Sequence, residues 1–87
     1  MRDIESVWAN VLTHEGEVFR QIRGGEFTYR VKGNMICPSR TNVQISKKLL
    51  EKALAFFPLS NTTKIQHLRG PSYIYAILMD ERVHRNQ

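Results

Sequence analysis

Lys47 and Lys48 follow Ser46 at what reads as the start of a helix. Cations are poorly placed there, because a helix N-terminus already carries partial positive charge and unpaired N–H groups. A bound anion would remove the conflict. Phosphate is the natural candidate, held by backbone N–H donors, the Ser46 hydroxyl and the lysine heads. The plainer alternative is that both lysines are simply solvated, at a cost of roughly a few tenths of a kcal/mol. The preceding loop contributes Arg40 for a phosphate, with Thr41 and Asn42 able to reach base edges. Arg69-Gly70-Pro71-Ser72 reads as a second basic helix start, where Gly70 would let backbone approach a ligand. The reading favoured there is a plain turn that caps a core helix. Arg30 and Lys32 extend the same patch along a strand.

The net charge agrees with this reading. From Arg20 to Arg69 there are ten Lys/Arg and two acids, a balance of +8, whereas the flanks carry a balance of −3. A block of one sign attracts acidic or phosphate-rich partners.

Other chemistry finds little support. His14, His67 and His84 are far apart and lack ligand spacing, and a single Cys37 makes no zinc pattern. Glu26 and Glu51 stand alone within the basic block, so the carboxylate cluster of a two-metal nuclease is missing there. No phosphate-binding Gly-x4-Gly-Lys-Ser/Thr loop occurs. The expectation is a non-enzymatic domain with no catalytic residues, metal or cofactor.

The elements that must position these residues form a single domain of 87 residues. Asp3 caps a helix whose apolar stripe is Ile4, Val7, Trp8, Val11 and Leu12, closed by Gly16. A three-stranded meander follows. A two-residue turn at Gly24-Gly25 sets Ile22 opposite Phe27, Arg20 opposite Tyr29 and Val18 opposite Val31. A turn at Gly33-Asn34 sets Val31 opposite Ile36. The core face is then Val18, Arg20, Ile22, Phe27, Tyr29, Val31 and Ile36. The outer face carries Phe19, Gln21, Arg23, Thr28, Arg30, Lys32, Met35 and Cys37.

After a polar loop over 38–44, Ser46 caps a second helix, with Ile45 and Leu50 as a hydrophobic staple and Pro58 as its stop. Residues 64–68 form a short strand or one helical turn. The apolar run Tyr73–Met79 suits either a buried strand or a buried helix, and Pro71 at the first helical position favours helix. Residues 83–87 are expected to fray.

The predicted fold class is α+β, a small three-stranded antiparallel meander packed against two or three helices, in the order α-β-β-β-α-(short element)-α. There is no membrane-spanning run and no secretory h-region, and the one cysteine suits a reducing, cytoplasmic setting. The leading functional expectation is a small nucleic-acid-binding domain, for DNA, contacting phosphate through Arg30, Lys32, Arg40, Ser46, Lys47, Lys48 and Arg69. The alternative is a protein-interaction or regulatory module, a homodimer through the outer sheet face with Phe19, Met35 and Cys37.

Overall fold

A computed structural model describes residues 3–84. The chain is α+β, with helices packed around two small antiparallel sheets. Helix α1 (Ile4–Thr13) starts where Asp3 accepts a hydrogen bond from the Ser6 N–H at 2.9 Å. Val7, Trp8 and Val11 are buried on it, whereas Leu12 is 47% exposed. At about 100° per residue, Leu12 falls at the edge of the apolar stripe rather than in it.

The first hairpin departs from expectation. Strands β1 (Phe19–Arg20) and β2 (Glu26–Phe27) pair Phe19 with Phe27 and Arg20 with Glu26. Gly24, with φ of 93°, has the positive φ that a two-residue turn can use at its first central position. The chain instead closes a longer loop, in which Gly24 N–H donates to Gln21 O at 2.8 Å and Gln21 N–H to Gly25 O at 2.7 Å. The register moves by an odd number of residues, so the faces exchange. Phe19 enters the core at 1% exposure, and Val18 and Ile22 turn outward at 53% and 50%. Arg20 leaves the core side and pairs with Glu26 at 2.7 Å. The exchange places Phe19 5.2 Å from the Tyr29 ring and 6.2 Å from Phe27.

The three-stranded meander lies one step further along the chain. Strands β3 (Tyr29–Lys32), β4 (Met35–Pro38) and β5 (Ile45–Ser46) follow one another in the sheet. Val31 opposes Ile36 as expected, and Gly33 makes the turn with φ of 60°. β5 emerges from the far end of the expected polar loop, with Ile45 opposite Ile36 and Ser46 opposite Met35. The free edge of β3 is covered: Tyr29 O accepts from Gly16 N–H at 3.0 Å and Val31 N–H donates to Glu15 Oε2 at 2.8 Å. Such cover leaves no template there for another strand.

Helix α2 (Lys47–Leu54) is capped by Ser46, whose Oγ accepts from Leu49 N–H at 3.0 Å. Ile45 and Leu50 are both fully buried, as a staple requires. The helix ends at Leu54, before Phe57 and Pro58; Phe56 is exposed and Phe57 half-buried. A 3-10 turn covers Thr63–Ile65. Helix α3 (Pro71–Leu78) begins with Pro71 in its first turn and buries Ile74, Ala76, Ile77 and Leu78. A short helix α4 (Glu81–His84) replaces the frayed end expected from residue 83. Val83 is fully buried, and its carbonyl accepts from Asn10 Nδ2 at 2.8 Å. The remainder of that expected tail, 85–87, lies outside the described residues.

Candidate nucleic-acid interface

Residues directly opposite in an antiparallel pair share a face. Arg30 opposes Cys37, Lys32 opposes Met35, and Met35 opposes Ser46. These five side chains therefore stand on the outer face of β3–β4–β5, while Tyr29, Val31, Ile36 and Ile45 stand on the inner one. The sequence places Arg30 and Lys32 on this face correctly. The pleat leaves both exposed and keeps Met35 and Cys37 half-buried.

Beside Met35 and Ser46 the surface sinks into an open hollow of about 400 Å³, lined by Met35, Asn42, Gln44, Ser46, Leu49 and Arg69. Its lining combines two apolar side chains with two amides, a hydroxyl and a guanidinium. No acid lines it among the described residues. A second open hollow adjoins it across Met35 and Ser46, and there Lys47, Lys48 and Asn34 meet Glu5 and Glu51.

Arg69 reaches this place through a contact that has nothing to do with a ligand. Gly70 has φ of 65°, and a Cβ there would stand 3.1 Å from Val43 Cγ1 and 3.7 Å from Ile45 Cδ1. The backbone thus approaches the chain's own β5 segment, which docks the start of α3 beside Asn42 and Gln44. Gly70 thus packs at the start of a core helix, as the capping-turn reading has it.

The remaining candidates divide. Lys48 is exposed at the first turn of α2 and has no ion pair among the described residues. Lys47 does have one. Its Nζ lies 3.1 Å from both carboxylate oxygens of Glu5 and 6.0 Å from the Trp8 ring centroid. The proximity of α1 to the start of α2 thus engages Lys47 and leaves Lys48 as the open cation of the pair. The Ser46 hydroxyl is engaged as the helix cap, and Thr41 Oγ1 accepts from Val43 N–H at 3.1 Å within the loop. Arg40 leans toward the β1–β2 hairpin, donating to Glu26 O at 3.3 Å, and stands apart from the hollow. Arg30 reaches toward the turn after α1, its Nη1 3.9 Å from where a Gly16 Cβ would stand. The structure brings together Asn42, Ser46 and Arg69, with Lys48 and Lys32 close by; Arg40 is separate.

Gln44 and Leu49 are lining residues that sequence reasoning passed over. Gln44 sat in a polar loop with no element to orient it, and Leu49 is an apolar residue of α2 that also packs in part against the core. Short β5 is what turns both toward Met35. Phe19, expected on an outer dimer face, is buried in the chain's own core and contributes nothing to that surface.

Charge at the chain ends is handled differently. Arg82 donates to Asp80 Oδ1 and Oδ2 at 2.9 Å, to Glu17 Oε1 at 3.0 Å and to Val18 O at 2.7 Å, and stacks 4.0 Å from the Phe19 centroid. The Asp80 hydrogen bond is the main reason its pKa is pushed up still further. Burial pushes the Asp80 carboxyl up, but the hydrogen bonds and charge of Arg82 outweigh that and hold it below the ordinary aspartate range. Glu17 is lowered chiefly by its hydrogen bond to His14 Nδ1 at 2.9 Å, with Arg82 assisting. Burial pushes the Tyr29 phenol up, and its hydroxyl donates to Val11 O at 2.6 Å.

Among the described residues no group of three His, Cys, Asp or Glu could hold a metal ion, and no helix is long and apolar enough to cross a membrane. Comparison with known proteins finds no matching family model, no matching curated protein and no matching solved structure, so the chain's own geometry carries the functional reading.

Proposed function

We propose that this chain is a small nucleic-acid-binding domain, directed at DNA, that uses the outer face of β3–β4–β5 and the adjoining hollow. One observation carries the reading. Arg30 and Lys32 stand on the outer sheet face, Arg69 lines the hollow and Lys48 lines the one adjoining it, and no carboxylate forms an ion pair with any of them among the described residues. Exposed cations that a fold leaves unpaired are available to phosphate. The free, half-buried Cys37 suits a reducing, cytoplasmic setting.

Fluorescence anisotropy with labelled duplex DNA across a salt series tests the proposal. Four phosphate contacts predict a slope of log K against log salt of about −3 to −4. Lys48→Glu with Arg69→Glu should weaken binding to all sequences alike, by about tenfold or more, because charge-assisted phosphate contacts become repulsive. A flat salt response, or a double variant that binds as the parent does, would refute it.

A further inference from the structure

Resting on the nucleic-acid reading, we infer that the hollow beside Ser46 receives a single unpaired nucleotide, so that the preferred partner is a single strand. Three features of the hollow point this way. Its volume of about 400 Å³ suits one small planar group and its phosphate, not a helix; ligand hollows of about 300–1,000 Å³ hold small molecules. Its lining includes the Met35 thioether and Leu49, apolar and adaptable surfaces against which a base face can lie. Its lining also includes the amides of Asn42 and Gln44, each offering a donor and an acceptor side by side, the pattern a base edge presents in return. Arg69, also in the lining, can pair the phosphate or stack its planar guanidinium on the ring.

A base in a duplex is stacked on both sides and shows only its groove edges, so it cannot lie face-down on Met35 without being extruded. An unpaired base pays no such cost. The absence of acids from the lining matches the charge of the ligand. Both amide residues are exposed, so neither is committed to the core. The cations on the sheet face outside the hollow, Arg30 and Lys32, would follow the backbone of the flanking nucleotides.

The test compares a labelled single-stranded DNA of about 12 nucleotides, within the ~4–16 nucleotide range of small binding modules, with the duplex of the same sequence at one salt concentration. The single strand should bind about tenfold tighter or more, a preference the size of one base-stacking contact. Asn42→Ala with Gln44→Ala should lose most of that preference while the melting temperature stays put. Equal affinity for both forms, with steep salt dependence, would overturn the nucleotide hollow and leave nucleic-acid binding standing. A single-strand preference untouched by the double variant would overturn the assignment to this hollow. Binding of neither form would bring down the underlying functional reading and this inference with it.

Discussion

Arg82 and Arg69 carry the same guanidinium into opposite surroundings. Arg82 is ringed by Asp80, Glu17, the Val18 carbonyl and the Phe19 face, and ties α4 to β1. Arg69 lines a hollow with no acid in its lining and forms no ion pair among the described residues. The first arrangement spends charge on folding, because each donor replaces water with a fixed acceptor. The second leaves charge exposed, contributing little to stability and much to the field outside. The difference teaches that a basic composition is not one property. The cations of this chain divide into those the fold has neutralised and those it presents.

Four experiments would break or sharpen that division. The largest effect is expected beneath Arg82. Phe19→Ala should cost about 3–5 kcal/mol, the usual penalty for deleting a buried aromatic, whereas Val18→Ala should change stability by less than about 0.5 kcal/mol. Denaturant midpoints measure both, and equal losses would reverse the observed register. Next comes Arg82→Ala. It removes charge-assisted bonds that remain partly open to water, so a loss of about 2 kcal/mol is expected, or roughly 8–16 °C in melting temperature. DNA affinity should not follow it down.

Acidity should act on the same cluster with a smaller effect. Glu17 and Asp80 are both held below their ordinary carboxyl ranges, so each favours the folded state when ionised. Their contribution is complete above the unfolded pKa and disappears as pH falls through the folded one. Urea midpoints should therefore decline below about pH 4.5, and Arg82→Ala should flatten that decline. An undiminished decline in the variant would show that Arg82 is not what holds the Asp80 carboxyl ionised. The smallest effect on stability belongs to Arg69→Ala, within about 0.5 kcal/mol. The same variant should nonetheless lose several-fold in DNA affinity, and a large drop in melting temperature would place Arg69 with Arg82 as a structural cation.

Much of the fold is legible because it rests on signals a few residues long. Asp3 and Ser46 announce their helices through cap bonds that span three positions. Gly33-Asn34 sets the register of β3 and β4 through a turn whose geometry the two residues nearly dictate. Pro71 starts α3 for the same kind of reason. The first hairpin was less legible because Gly24-Gly25 suits two loop lengths equally well. The choice between them belongs to whichever apolar set packs better, and here the Phe19 ring against Tyr29 and Phe27 is what packs. The site was only half legible. Arg30, Lys32, Lys48 and Asn42 could be named from type and position, but Gln44 and Leu49 gained their place only when β5 paired with β4.

Sequence alone determined the sorting of charge, the helix starts, the Gly33-Asn34 turn and the α+β class, since each depends on composition or on neighbours along the chain. Tertiary structure decided which cations stay open. Glu5 claims Lys47 across 42 positions and Glu17 claims Arg82 across 65, and Gly70 against Val43 brings Arg69 to Asn42. Coulombic pairing and close packing act through space, and the chain acquires those distances only on folding.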